Sequence, residues 1–242
     1  MKKYSFLILI VIMFLNGCGT TAKFTYPAKY QNLAHLYEQP KYNLTVAVLP
    51  FDDMRGDVNS MGGFYLYLIP LVPYGSMKYE RPDSARFFNT INQFEFNVTE
   101  DLSKAVVVSL QRSGLFKDVF FTFGGEKASA DLIMKGKILS VDWVGKIYSY
   151  GLSIVGPALW IFGLPCGSSY NKLSLEFELN DKKPSKIWGY TLIKETTIVQ
   201  GYYYKFGHDV KSYASLMEEG MNEAVKDLDN KLGILYSVGS KK

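Results

Sequence analysis

Residues equipped for chemistry are sparse in this chain. Its two histidines, His35 and His208, fall in no HExxH or comparable metal spacing and beside no nucleophile motif. Ser153 lies in Gly151-Leu152-Ser153-Ile154-Val155, which lacks the second glycine of a nucleophile elbow. The densest polar cluster is Asp52-Asp53-Met54-Arg55-Gly56-Asp57. Carboxylates placed after a strand can hold a cation, but the spacing is not that of a calcium loop and no basic phosphate cradle is present. The cluster reads as a solvated turn with an Asp–Arg pair, and its Arg-Gly-Asp triplet as a chance match. Tyr202-Tyr203-Tyr204 resembles a base-stacking platform, yet without a basic stripe it reads as packing or an interface. These patterns supply no catalytic residue, metal ligand or cofactor site. The expectation is a protein that is not an enzyme.

One cysteine stands apart. Met1-Lys2-Lys3 gives a positive start, Phe6–Leu15 is an unbroken apolar run of ten residues, and Leu15-Asn16-Gly17-Cys18 follows. Ten residues cannot span a bilayer, which takes about 20, but they suit the core of a secretory signal of about 7–15. The four residues ending in Cys18 resemble the lipobox of bacterial lipoproteins, in which that thiol accepts diacylglycerol and becomes the new amino end. Asn16 departs from the small residue usual at its position. The competing reading is an ordinary cleaved signal with a chance cysteine. Gly19 stands where inner-membrane lipoproteins often carry aspartate, which by that family rule directs the chain to the outer membrane. Loss of Lys2 and Lys3 takes the formal charge from +4 to +2. Cys166, in Gly163-Leu164-Pro165-Cys166-Gly167, is then left without an intramolecular partner and reads as a buried, inert thiol.

The remaining composition, 48% hydrophobic and 21% charged, is that of a folded domain. The small net charge argues against a nucleic-acid partner. Residues 1–17 are expected to be the signal and 18–43 an acylated start and tether. A single α/β domain is expected over 44–233, and a tail over 234–242. Tyr26, Tyr30 and Tyr37 suggest that the tether lies against the domain. Leu44–Phe51 predicts a buried strand ended by proline. Asn97, Glu100 and Gly114 bracket a helix with a stripe of Val98, Leu102, Val106, Ser109 and Leu110. Strands are predicted over Leu115–Phe123, Ala130–Val144, around Leu173–Leu179 and over Lys186–Gln200. A last helix over Val210–Leu232 buries Tyr213, Met217, Met221, Ala224 and Leu228 and stops at Gly233. The fold class expected is an α/β (α+β) sandwich, a mixed, mainly antiparallel sheet of about five strands carrying two main helices.

Two apolar insertions, 62–75 and 148–166, fit no element. Both are rich in Gly and Pro and free of charge. Irregular backbone exposed to lipid would cost several kcal/mol per unpaired group, so spanning is not expected. Three roles stay open: a secondary core, a surface dipping into the membrane interface with Trp160, or a partner or oligomer surface. The candidate interaction residues are Tyr65, Tyr67, Ile69, Trp160 and Phe162.

Val46-Ala47-Val48-Leu49-Pro50-Phe51-Asp52-Asp53-Met54-Arg55, Leu110-Gln111-Arg112-Ser113-Gly114-Leu115-Phe116 and Ala130-Asp131-Leu132-Ile133-Met134-Lys135-Gly136-Lys137-Ile138-Leu139 carry a resemblance. Over about 44–144 the chain resembles the periplasmic lipoprotein domains related to the curli secretion-channel lipoprotein and the amino-terminal domain of the Tol-Pal translocation protein. The resemblance implies no catalytic residue and no cofactor beyond covalent lipid on Cys18. It implies an outer-membrane lipoprotein facing the periplasm that acts as an accessory or scaffold in envelope assembly, secretion or transport. Its partners would be the membrane, through the acyl chains, and an envelope protein or a second copy. A lipid-binding lipoprotein, its insertions lining a hydrophobic cavity, is the alternative.

Overall fold

The longest strand organises everything else. In the computed structural model, which describes residues 20–28, 36–56, 60–125, 129–182 and 185–239, strand β8 runs over Leu132–Tyr148. Its 17 residues extend about 55 Å. Along one edge β8 pairs antiparallel with β9 (Gly167–Asp181), which pairs antiparallel with the edge strand β10 (Lys186–Gln200). Along its other edge three separate segments succeed one another. They are β2 (Tyr42–Val48) and β3 (Asp52–Asp53), both parallel, then β5 (Tyr74–Tyr79), antiparallel. Beyond them β4 (Ser60–Gly63) pairs with β5, and β7 (Phe116–Phe121) pairs parallel with β2.

The sheet therefore has eight strands, not about five. The five expected ones are its continuous path. The other three come from 52–79, whose short segments lack the alternation that marks a strand; β3 and β5 pair along the part of β8 that outruns β2, and β4 pairs with β5. A separate two-stranded sheet joins β1 (Thr21–Lys23) to β6 (Gln93–Glu95).

A bulge keeps one face of β8 apolar. Leu132, Met134 and Ile138 point inward at even positions, and Val141 and Trp143 at odd ones. The register against β9 slips between Ile138 and Ser140, and that extra residue restores the inward direction after the parity changes.

Two long helices cover this face side by side. Helix α1 (Val98–Ser113) buries the expected stripe and ends at Gly114 in the left-handed conformation. Its start differs from a capping box. The Asn97 side chain makes no capping bond; the backbone N–H of Asn97 donates to Asp101 at 2.8 Å, while the amide of Asn97 bonds Glu100. A single turn, α2 (Ala158–Ile161), lies in the second insertion. Helix α3 (His208–Gly239) buries Tyr213, Met217, Met221, Ala224 and Leu228 as expected. It continues through Gly233 and takes in much of the expected tail, because a single interior glycine costs a helix only about 1 kcal/mol.

The stretch read as a tether is part of the fold wherever it is described. Beyond β1, the Tyr26 hydroxyl bonds Ser109, the Tyr37 hydroxyl donates to Asp229 at 2.9 Å, and Lys41 pairs with Asp229 at 2.7 Å. Its described parts thus touch α1 at Ser109 and the last helix at Asp229. Cys18 and the expected signal, His35, Asp57 and Pro184 lie outside the described residues.

Candidate functional site

The polar clusters turn out to be structural. Arg55 is buried and clamped between Asp53 and Asp83, so the Arg-Gly-Asp triplet does not present its arginine. His208 borders a groove with Lys23, Phe24, Glu195 and Glu219, which neither Asp52 nor Asp53 reaches. No group of three or more His, Cys, Asp or Glu able to hold a metal occurs among the described residues. Cys166 is buried against the Gln200 carbonyl, and burial pushes its thiol up to about 11.

A buried polar knot lies where α3 begins. Asp209 Oδ1 accepts from Thr90 at 2.9 Å, Thr90 accepts from the Gly207 N–H, and Asn171 bonds the Asp209 carbonyl and Ser212. Asp209 is fully buried and its Oδ2 has no hydrogen-bond partner. Burial raises its pKa above the ordinary carboxylate range, opposed by the Thr90 bond. A carboxyl whose folded pKa exceeds its unfolded value stabilises fully below the unfolded value of about 3.9, and that stability is lost as pH rises through the folded pKa. Asp209→Asn should therefore gain stability over the wild type at pH 7.5 relative to pH 4.5, read as urea midpoints. An equal difference at both pH values would show that Asp209 does not titrate in this way.

The two apolar insertions meet. In the β5–β8 register Tyr74 faces Tyr148, so both insertions leave the sheet at the same end. The first forms a 3-10 helix over Phe64–Leu68. The second forms a 3-10 turn over Ser153–Val155 and then α2. Backbone bonds stitch them together: Leu71 N–H to Gly151 O at 2.9 Å, and Ser149 N–H to Pro73 O at 2.9 Å. The Ser153 hydroxyl donates to Leu68 O. The β9–β10 register places Gln200 opposite Gly167, which brings Tyr202-Tyr203-Tyr204 to this same end. There Tyr203 donates to Ile161 O at 2.9 Å, and Tyr202 packs edge-on against Trp160.

Close approach at this end demands glycine. A Cβ on Gly156 would sit 2.2 Å from Ser149 O, and one on Gly75 would sit 1.8 Å from Phe64 O. Gly156→Ala is expected to cost about 1–3 kcal/mol and to lower the melting temperature in calorimetry. An unchanged melt would mean that the seam yields freely.

This end is exposed and apolar. Leu71 is 90% exposed, Phe162 79%, and Tyr65 and Ile154 76% each; Ile69 is also exposed and Tyr67 is half-buried. The insertions do not form a secondary core. Most of their large apolar side chains are exposed, while Phe64, Trp160 and Cys166 turn inward. Trp160 is the exception among the expected surface residues. It is buried, its indole N–H donates to Tyr148 O at 3.0 Å, and it braces the surface from beneath.

Five non-glycine residues among those described have positive φ: Leu71, Phe87, Tyr150, Ser153 and Lys205. All five lie in or beside this end. Such strain persists only where surrounding structure imposes it, and it concentrates at functional surfaces.

Sequence reading missed Thr20. Its carbonyl accepts from the N–H groups of Asn92 (2.8 Å) and Gln93, and its hydroxyl donates to Thr90 O. It borders an open groove with Phe64, Tyr65, Tyr67 and Phe87, at the apolar end. No local pattern announces this, because the bonds join segments some 70 residues apart.

No family model and no curated protein matches the sequence. Solved structures with a distant likeness include a DUF330-family protein from Xanthomonas campestris (11% identity, 92% of this chain, 99% of that one, TM-score 0.43). Another is a PelC dodecamer from Paraburkholderia phytofirmans (13%, 76%, 90%, 0.36). A third is a lipoprotein from Neisseria meningitidis (11%, 77%, 99%, 0.33). At such identities and scores these likenesses transfer no function to this chain. Among the described residues, no helix is long and apolar enough to cross a membrane.

Proposed function

We propose that this chain is a lipid-anchored, non-enzymatic accessory domain of the bacterial envelope that works by position. The observation that carries the reading is Thr20. Two residues after Cys18 the chain is already bonded into the fold. Two residues reach at most about 7 Å, so acyl chains on Cys18 would hold the domain directly against the bilayer rather than on a leash. Two or more acyl chains make such anchorage lasting. The lipobox-like residues support acylation, and Gly19 supports the outer membrane and a periplasmic domain. The resemblance to the curli-secretion and Tol-Pal lipoprotein domains supports a role in secretion, assembly or transport.

A partner would engage the free edge of β10. That strand is the last of its sheet, 15 residues long, and carries exposed Ile193 and Val199. An unpaired edge of this length is a template for strand addition.

Metabolic labelling with a fatty-acid analogue should mark the wild type and leave Cys18→Ser blank. Photo-crosslinkers at Ile193 and Thr197 should capture an envelope protein or a second copy in cells. An unlabelled wild type would end the anchoring reading. Labelled protein whose β10 edge captures neither would end the scaffold role.

A further inference from the structure

We infer that the apolar end built by the two insertions is a membrane-docking face, and that its occupant is the bilayer surface holding the Cys18 acyl chains. This rests on the acylation proposed above. Three observations carry it.

The first is where the described chain begins. Thr20 borders one groove with Tyr65, Tyr67 and Phe87. An acylated Cys18, at most about 7 Å further along the chain, enters lipid beside this face and not beside the far end of the sheet.

The second is charge. Residues 61–77, 87–92, 146–168 and 198–207, which build this end, contain no Asp or Glu; their charged residues are Lys146 and Lys205, while Lys78, further along β5, pairs with Glu80 at 2.7 Å. A surface for a second protein at the rim of a fold ordinarily carries both signs. Apolar side chains with two lysines and no carboxylate match an anionic or zwitterionic headgroup layer.

The third is rigidity. Hydrogen bonds across the seam, the glycine contacts and the strained residues hold the backbone so that Leu71, Ile154, Phe162 and Tyr65 project. Irregular backbone cannot enter hydrocarbon without leaving its polar groups unpaired. Docking is therefore limited to side chains at the headgroup boundary, a burial of about 5–10 Å. The bilayer would meet one defined end of a sheet about 55 Å long, leaving the far end, with Lys182, raised into solvent.

The test uses the full acylated protein in phosphatidylethanolamine–phosphatidylglycerol vesicles, spin-labelled singly through Leu71→Cys, Phe162→Cys or Lys182→Cys. The expected result is a collision rate with an aqueous nickel complex at least about threefold lower at 71 and 162 than at 182, with the reverse order for oxygen, which partitions into lipid. Leu71→Glu with Ile154→Glu should leave the anchor intact and return a label at 162 to the accessibility of the one at 182. Both substituted side chains are exposed, and a circular-dichroism melt verifies the fold. Equal accessibility at 162 and 182 in the wild type overturns the inference. So does protection at 162 that vanishes on dilution in lipid or comes with label–label broadening, since a second copy then covers the face. The mass of the N-terminal peptide reports acylation separately. If Cys18 carries no lipid, the anchoring reading fails, and vesicle binding by the unacylated protein through a protected residue 162 still decides the docking face.

Discussion

Arg55→Ala is expected to destabilise the protein by about 3–5 kcal/mol, measured by urea unfolding at pH 7. The Arg55 side chain is only 2% exposed. Its Nε and Nη2 donate to the two Asp53 oxygens at 2.9 and 2.8 Å, and its Nη1 and Nη2 donate to Asp83 at 2.6 and 3.2 Å. Asp53 and Asp83 are themselves largely covered. Truncation strands two carboxylates whose desolvation was offset by one guanidinium, and Arg81, at 3.3 Å from Asp53, reaches only one of them. The network joins β3 to the loop after β5, so its loss also frees the segment carrying the first insertion.

The same network has an acid signature. Hydrogen bonds from Arg55 hold the Asp53 carboxyl below its ordinary range against the opposing effect of burial. A depressed carboxylate contributes stability above its unfolded pKa of about 3.9, and that contribution is lost as pH falls through the lower folded value. The Arg55→Ala variant should lose this part of the acid transition. A variant with Arg55→Met, Asp53→Asn and Asp83→Asn should recover most of the lost stability, because removing a whole buried ion network costs far less than breaking it. Failure to recover would place the energy in packing instead of charge.

Trp143→Ala should cost a comparable amount, about 3–5 kcal/mol, with a different local consequence. The indole is wholly buried, stacked on Tyr79 at 5.3 Å and met edge-on by Phe88 at 5.0 Å and Phe64 at 6.3 Å. Its N–H has no hydrogen-bond partner, so packing supplies its contribution and Trp143→Phe should lose only about 1–2 kcal/mol. Phe64 opens the 3-10 helix of the first insertion, and Tyr79 closes β5. Removing the ring therefore unfastens that insertion from the sheet. Limited proteolysis within 62–75 should accelerate in Trp143→Ala beyond what the global loss accounts for. Cleavage that merely tracks global stability would show that the seam with 148–166 holds the insertion alone.

Much of the frame was legible because it is periodic. The α1 stripe from Val98 to Leu110, the Gly114 stop, the Lys186–Gln200 strand and the α3 stripe from Tyr213 to Leu228 each repeat at the spacing of their element. What escaped was set at a distance. Strands β3 and β5 pair where β8 outruns β2, β4 then pairs with β5, and the Ile138–Ser140 bulge is a pairing event with no residue type to announce it. Gly233 was read as a stop because local propensity favours one, whereas packing of Leu228 and Leu232 carries the helix on. The candidate surface was half visible. Its apolar, glycine-broken composition identified the two insertions, but their junction depends on the Tyr74–Tyr148 register, and the burial of Trp160 beneath them depends on that junction. Tyr202–Tyr204 looked like a separate feature until the hairpin register carried it to the same place.

The way one strand serves three predecessors has a consequence for biogenesis. If the chain is exported amino end first, as proposed, residues 42–79 cross before 132–148, and until β8 follows they can pair only with one another, as β4 with β5, and with β7. Meanwhile Phe64 lacks its Trp143 partner and the backbone of the first insertion lacks its seam. If the proposed periplasmic location holds, such a polypeptide calls for an escort during that interval, and starving the cell of periplasmic holdase chaperones should deplete it sooner than a neighbour whose sheet assembles strand by strand in order of emergence.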